Sequence, residues 1–312
     1  MAIRCPDPGA PPAMPLTPLQ TSIARAIAVN RSPSSHLAGA AGLHLEPTSI
    51  RVSNDLDYFH DREALVSTAF AADRALLEKA GYTVEIMLSQ PGFVRAIVAR
   101  DKESTKVEWA HDSAWRFLPP IADPVVGYRL HPIDLSINKV LALAGRDEPR
   151  DFLDVLFVHR TYLSFGSLCW AAVGKDPGYG PEMLVEMLAR KGRYRAEDFA
   201  SLELLEKPNL AELKLSWIAA LEGARRLVKI LPPEDSGCLY WNPVEGKFVT
   251  PSGGTTGLIR HFGCEGGILP QVGDPEFIVG DPETQHELRK PVRVVAPPER
   301  RQDPMQPVRP NP

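Results

Sequence analysis

Segments with the hydrophobic period of a helix and segments with that of a strand follow one another in the first part of the chain. This order restricts the fold more than any other feature of the sequence. Apolar residues recur at helical spacing over 17–29 and again over 61–82, and between these two runs residues 51–59 ("RVSNDLDYF") have the composition of a strand. The runs 92–100 and 105–112 then alternate apolar and polar residues around a short polar loop, which predicts a β-hairpin. This order predicts a small mixed α/β domain on an open sheet.

Helical periods dominate the second part of the chain. They lie in residues 132–145, 148–163, 180–192, 195–206 and 209–231, and a short hairpin is predicted over 237–252. Both ends of the chain are rich in proline, which is typical of segments without a packed core. We therefore expect an α+β chain with five parts: a disordered leader (1–15), a mixed-sheet core (16–125), a helical domain (126–235), a short hairpin and loop (236–265) and a disordered Pro-rich tail (266–312).

Composition excludes several classes of protein. The net charge of −4 over 312 residues argues against a nucleic-acid coat or a basic membrane-surface protein, although a local basic groove is compatible with it. No apolar run is long enough to span a membrane or to act as a secretory signal, so a cytoplasmic location is expected by default. The four cysteines are far apart, which predicts neither a structural zinc site nor a disulfide framework.

The strand 51–59 carries two carboxylates on one face. Asp55 and Asp57 are two residues apart, so in a strand their Cα atoms lie roughly 6–7 Å apart and their side chains point the same way. Like charges at this spacing repel unless a metal ion, a lysine or water lies between them. Glu108, central to the predicted strand 105–112, could complete a set of oxygen ligands for one or two Mg²⁺ ions. Alternatively, Glu108 is solvent-facing and paired with Lys106.

Three other residues are candidates for phosphate binding. Gly39 and the hydroxyl of Ser53 could each approach a phosphate oxygen, although small-residue runs more often serve close helix packing. Lys139 is the basic residue of an otherwise apolar helix face, and a lysine ammonium is a good phosphate partner. Its alternative roles are an ion pair with Asp134 or extension to solvent.

Five segments resemble the AbiEii/AbiGii-type nucleotidyltransferase toxins, a branch of the DNA polymerase β-like nucleotidyltransferase superfamily. They occur in the family's order: "GAAGL" (39–43), "RVSNDLD" (51–57), "KVE" (106–108), "NKVLAL" (138–143) and "RDFLD" (150–154). The resemblance covers roughly residues 35–165 and extends more loosely through 209–221.

The resemblance implies a role for each matched residue. Asp55 and Asp57 would be the metal-binding pair, Ser53 would lie in the phosphate-binding turn, and Lys139 would contact the triphosphate. Asp151 and Asp154 match the family's R-D-x-x-D segment and, three residues apart on a helix, share a face. One of them, with Asp154 favoured, would position or deprotonate the acceptor hydroxyl.

The resemblance also implies a function. The chain would be a Mg²⁺- or Mn²⁺-dependent enzyme that transfers a nucleotide from a nucleoside triphosphate (NTP) to RNA, with transfer RNA as one option. It would be a toxin of phage defence, controlled by a cognate antitoxin. However, Ala40 and Ala41 replace a glycine and a threonine of the family's first segment. This change makes a non-catalytic binding module one alternative, and the superfamily's small-molecule-modifying members make a small-molecule nucleotidyltransferase another.

The remaining patterns are less specific. The basic run within residues 190–195 could bind an RNA backbone or be a solvated loop. The histidines have no zinc-hydrolase spacing. The segment "PSGGTTG" (251–257) lacks the ending of a phosphate-binding loop and is interpreted as a linker.

Overall fold

The computed structural model of this chain describes residues 16–45, 51–205 and 207–271, so the predicted leader and most of the predicted tail lie outside the described residues. Its strands are β1 (Ser35–Leu37), β2 (Asp55–His60), β3 (Thr83–Gln90), β4 (Phe93–Arg100), β5 (Glu103–His111), β6 (Trp115–Arg116), β7 (Ile121–Asp123), β8 (Gly127–Arg129), β9 (Leu239–Asn242), β10 (Lys247–Val249), β11 (Ile259–His261) and β12 (Cys264–Glu265). Its helices are α1 (Pro18–Ile27), α2 (Gly39–Leu43), α3 (Glu63–Lys79), α4 (Pro132–Gly145), α5 (Pro149–Thr161), α6 (Phe165–Lys175), α7 (Pro181–Leu188) and α8 (Leu210–Ile230).

A mixed sheet carries the candidate site. Within the described ranges it has seven strands in the order β3-β4-β5-β2-β1-β8-β7. The predicted hairpin is confirmed as the antiparallel pair β4–β5, whereas β2 joins β5 in parallel. The parallel register places Asp57 opposite Glu108 and Asp55 opposite Lys106. The carboxylates of two strands that are far apart in sequence are therefore neighbours in the sheet.

Two hydrophobic cores stabilise the part of the chain that ends at Gln271, which packs as one compact unit. One core lies between the sheet and the helices α1 and α3, and it includes the fully buried Leu56, Tyr58 and Trp109. The other is formed mainly by α4 to α8. Most members of the first core precede residue 126, and most members of the second core follow it. The mixed-sheet and helical parts of the predicted α+β fold are thus both present.

Some elements differ from the sequence prediction. Helix α6 was not predicted because residues 165–173 are all buried, and a helix that is apolar on every side shows no helical period. Strand β3 was also missed, since it is an exposed strand at the edge of the sheet. The helix predicted over 195–206 is reduced to a single 3-10 turn, Ala196–Phe199. In the described part of the chain no helix is both long and apolar enough to cross a membrane.

Candidate active site

A lysine lies between two of the three predicted metal-binding carboxylates. The Nζ atom of Lys106 is 3.0 Å from Asp55 Oδ2 and 3.0 Å from Glu108 Oε1. Glu108 Oε1 also accepts a hydrogen bond of 2.8 Å from Arg95 Nε of the neighbouring strand β4. The pairing of Glu108 with Lys106, one of the two interpretations of its role, therefore occurs in the structure, and the same ammonium reaches Asp55.

Asp57 is the carboxylate of this group that is least compensated by cations. Its side chain is half-buried at the start of α2. Burial, together with the negative charges of Asp55 and Glu108, raises the pKa of Asp57 to about 7, while Lys139 and Lys106 oppose the rise. Negative charge is thus concentrated on one face of β2 and β5, a position where a further cation would be attracted.

Asp55 is oriented by Ser53. The Ser53 hydroxyl donates to the backbone oxygen of Asp55 at 2.9 Å and lies 3.2 Å from its Oδ1. Burial acts to raise the pKa of Asp55, but Lys106, Arg150 and Ser53 together lower it below its ordinary value. Ser53 is itself completely buried, and its carbonyl accepts a hydrogen bond from Gln20 Nε2 at 2.8 Å. The hydroxyl of Ser53 therefore contacts Asp55 in this structure.

Gly39 is in close contact with the second aspartate. It has a positive φ of 59°, and a Cβ atom at this position would lie 1.9 Å from Asp57 Oδ2. The amide of Ala38 donates to the Asp57 backbone oxygen at 2.7 Å. Ala40 and Ala41, which replace the family's glycine and threonine, are buried against the core. The "GAAGL" segment consequently packs directly on the carboxylate strand.

The carboxylate of Asp154 binds two cationic side chains and a histidine. Arg51 donates to it through Nε at 2.8 Å and Nη2 at 2.7 Å, Lys139 Nζ lies 2.8 Å from Oδ2, and His44 Nε2 lies 2.9 Å from Oδ1. Asp154 is fully buried, which acts to raise its pKa, but Lys139 and Arg51 hold that pKa well below the ordinary value. With these contacts, Asp154 is better suited to positioning Lys139 and Arg51 than to accepting a proton.

Asp151, one turn earlier on α5, also contacts Lys139. Its Oδ1 lies 3.4 Å from Lys139 Nζ, and Arg146 Nε donates to Oδ2 at 2.6 Å. Asp134, the alternative partner of Lys139, instead accepts hydrogen bonds from the backbone amides of Phe117 and Leu118. Lys139 is only 7% exposed, and its positive charge lowers the pKa of Asp57 on β2 as well as that of Asp154 on α5.

Four residues of this region have no role that was predicted from the sequence: His44, Arg51, Arg146 and Arg150. Arg51 lies within "RVSNDLD", so its presence in the matched segment was the available signal. Its partner Asp154 is 103 residues away, and no local pattern indicates that contact. Arg146 and Arg150 flank the start of α5, where they act electrostatically on Asp57 and Asp55 respectively.

The donor atoms of the site fit a hard divalent ion in type but not in their present arrangement. Asp55, Asp57 and Glu108 supply carboxylate oxygens, which Mg²⁺ and Mn²⁺ prefer. Among the residues that the structure describes, however, no three Asp, Glu, His or Cys side chains converge as they would around a metal ion. The Lys106 ammonium occupies the space between two of the three carboxylates.

The basic run lies beside α5. Tyr194, within this run, donates a hydrogen bond to Asp147, the residue after Arg146, and its ring lies 5.2 Å from that of Phe152. Three arginines of this run, Arg190, Arg193 and Arg195, are exposed to solvent. Positive charge is therefore available to solvent next to the helix that carries Asp151 and Asp154.

A separate pocket of about 520 Å³ involves the segment 251–257. It is lined by the end of α5, the β9–β10 hairpin and residues of this segment, and it includes His159, Arg160 and Lys247. None of the candidate site residues lines it. The segment interpreted from sequence as a linker thus forms part of a pocket wall.

Comparison with known proteins shows similarity at the level of fold. No family model matches the chain, and no curated protein sequence matches it. JHP933 from Helicobacter pylori is 18% identical, with 68% of this chain and 91% of that chain covered at a TM-score of 0.42. MenT4, the nucleotidyltransferase toxin Rv2826c from Mycobacterium tuberculosis H37Rv, is 14% identical, with 69% and 83% covered at a TM-score of 0.47. At these identities the similarity concerns the fold alone.

Proposed function

We propose that this chain is a divalent-metal-dependent nucleotidyltransferase that moves a nucleoside monophosphate from an NTP to RNA. The observation that carries the proposal is the set of three carboxylates on β2 and β5, with the charge of the buried Lys139 acting on Asp57. Carboxylates grouped on neighbouring strands beside a buried ammonium are suited to bind a metal ion and the phosphates of a nucleotide.

Asp55, Asp57 and Glu108 would hold Mg²⁺ or Mn²⁺. Such an ion, when bound, neutralises charge on the triphosphate and on the departing pyrophosphate. Ser53 holds the Asp55 carboxylate in place, and the absence of a side chain at Gly39 leaves room for that of Asp57. Two of the three residues proposed from sequence as phosphate contacts, Gly39 and Ser53, would therefore support the proposed metal-binding carboxylates.

Lys139 would bind phosphate oxygens. Its ammonium is held in place by Asp154 at 2.8 Å and by Asp151 at 3.4 Å, so little side-chain entropy is lost when a nucleotide binds. A fixed ammonium in a site with little water stabilises developing negative charge more strongly than one in solvent. We assign to Asp154 the role of positioning Lys139 and Arg51.

RNA as the acceptor is supported by the arginines of the 190–195 run, which lie beside α5. Arginines on one solvent-facing segment can bind a phosphate backbone without regard to sequence. The role as a toxin with a cognate antitoxin rests on the resemblance of the five sequence segments to AbiEii/AbiGii-type proteins.

Incorporation of label into RNA tests the proposal. The protein is incubated with total cellular RNA, Mg²⁺ or Mn²⁺ and each labelled NTP in turn. We expect one or more nucleotides to be incorporated by the native chain and not by Asp55→Asn. Asp101→Asn is the matched control, since it makes the same chemical change in the exposed β4–β5 turn. Equal incorporation by the native chain and Asp55→Asn would contradict the proposal, and label in a small-molecule acceptor alone would refute the RNA assignment.

One observation favours a second function, a non-catalytic binding module. Lys106 already places a positive charge between Asp55 and Glu108 and could replace a metal ion permanently. Such a module would bind NTP equally well with and without divalent ions. Calorimetric titration of NTP in the presence of Mg²⁺ or of a chelator separates the two functions.

A further inference from the structure

We infer that Lys106 is a displaceable counter-ion, and that its displacement makes the metal ion and the nucleotide bind to this site cooperatively. The inference rests on the proposed function, since it concerns the metal site assigned there. It assigns to Lys106 the coupling of the two ligands, in addition to the roles given to the carboxylates and to Lys139.

The geometry shows that Lys106 and a metal ion compete for the same oxygen atoms. The ammonium contacts Asp55 Oδ2 and Glu108 Oε1 at 3.0 Å each, which is hydrogen-bonding distance. A Mg²⁺ ion would need those oxygens at about 2.1 Å. An ion in that position would lie in direct contact with the ammonium, and two cations so close repel each other strongly. Lys106 must therefore leave before a metal ion can bind both carboxylates.

Lys106 has a route out of the site. Its side chain is 33% exposed, in contrast to the nearly buried Lys139. Its flexible four-carbon stem allows the ammonium to move away while the strand β5 stays in place. Asp55 keeps its contact with Ser53 when Lys106 leaves, and Arg95, which bonds Glu108 Oε1, is itself 41% exposed. Displacement is thus compatible with the rest of the site.

The cost of displacement links the two ligands. Without nucleotide, a metal ion must break two ion pairs of Lys106 that water only partly replaces. A bound triphosphate offers the freed ammonium new anionic oxygen atoms close to the site, which lowers that cost. Nucleotide therefore raises the affinity for the metal ion, and the metal ion raises the affinity for nucleotide by the same factor.

Binding of Mn²⁺ alone, measured from the electron paramagnetic resonance signal of the free ion, tests the inference. The titration is performed at pH 8 with and without a non-hydrolysable NTP analogue, and a titration of the analogue without protein gives the Mn²⁺ that the analogue binds by itself, which is subtracted. We expect the native chain to bind Mn²⁺ roughly tenfold more tightly with the analogue than without it. Lys106→Met should bind Mn²⁺ without analogue roughly tenfold more tightly than the native chain, and the analogue should then increase its affinity by a smaller factor than in the native chain.

Two further variants make the result specific. Lys102→Met removes the same charge from the exposed turn of the same hairpin and should behave like the native chain. Lys106→Gln keeps a polar side chain on β5 and provides the measurement if Lys106→Met fails to fold. Equal Mn²⁺ affinity of the native chain and the Lys106 variants in the absence of analogue would overturn the inference and leave the proposed function intact. No Mn²⁺ binding by any of these proteins, with or without analogue, would overturn both.

Discussion

Gly39 and Asp57 are in such close contact that no other residue fits at position 39 without moving the carboxylate. A Cβ atom there would lie 1.9 Å from Oδ2, 2.8 Å from Cγ and 3.0 Å from Cβ of Asp57. Rotation of the carboxylate could relieve the first two contacts, but the third is set by the backbone of β2. The conformation of Asp57 therefore depends on the absence of a side chain at residue 39.

Gly39→Ala should turn the Asp57 carboxylate away from its present position and weaken Mn²⁺ binding by roughly tenfold or more, since one of three proposed ligands is displaced. It should also lose about 1 kcal/mol of stability from the positive φ. Gly246→Ala is the matched control, because Gly246 has a φ of 63° and open space around its Cβ position. Thermal unfolding and Mn²⁺ titration of both variants check the prediction. A Gly39→Ala variant that binds Mn²⁺ as the native chain does would contradict it.

Asp154→Asn should destabilise the protein by about 3–5 kcal/mol, because it leaves the buried cations Arg51 and Lys139 without their shared carboxylate. Urea denaturation measures the loss. Glu78→Gln, which removes the carboxylate partner of Arg74 on the exposed face of α3, should cost less than about 1 kcal/mol. If Asp154→Asn kept native stability and lost only nucleotide transfer, a direct part in proton transfer would be the better assignment.

Lys139→Met should weaken the binding of an NTP analogue by roughly tenfold or more, since a positioned ammonium is lost from the proposed phosphate site. The two carboxylates that hold Lys139 each retain an arginine, Arg146 on Asp151 and Arg51 on Asp154, so the variant should remain folded. Calorimetric titration and a thermal unfolding curve measure the two effects. Lys175→Met removes an ammonium that pairs with Asp112 and is the control. Unchanged analogue affinity in Lys139→Met would exclude the phosphate role.

Much of the fold was predictable from local patterns. The alternation in residues 92–100 and 105–112 indicated a hairpin, and β4 and β5 form it. In the predicted strand 51–59, the i, i+2 spacing placed Asp55 and Asp57 on one face, because side-chain direction in a strand follows directly from residue number. The buried helix α6 and the exposed strand β3 were not predictable in this way, since uniform burial or uniform exposure removes the period.

The contacts of the candidate site were less predictable than its residues. The pairing of β2 with β5 in parallel, which makes Asp57 a neighbour of Glu108, is a choice between distant segments. The bond between Arg51 and Asp154 likewise joins residues 103 positions apart. Spacing in the sequence indicates which side chains share a face of one element, whereas tertiary packing decides which elements meet.

His60→Phe should make the protein less sensitive to acid. Both ring nitrogens of His60 lack a hydrogen-bond partner among the described residues, and burial together with Arg31 lowers its pKa to about 4. The unfolded chain, with a histidine pKa near 6.5, binds more protons than the folded chain between these values, so stability is complete above pH 6.5 and is lost as the pH falls toward 4. Because each tenfold difference in proton affinity between the two states corresponds to about 1.4 kcal/mol, the variant should gain about 2–3 kcal/mol relative to the native chain between pH 7 and pH 4.

Urea denaturation at several pH values measures this difference, and the comparison with the native chain cancels the contributions of the other buried histidines. His111→Phe is the control, because His111 lies opposite His60 in the β2–β5 register and is exposed to solvent. Its stability should follow the pH dependence of the native chain. The prediction would be wrong if the stability of His60→Phe changed with pH as that of the native chain does. In that case His60 would take up a proton as readily in the folded chain as in the unfolded chain, in spite of its burial.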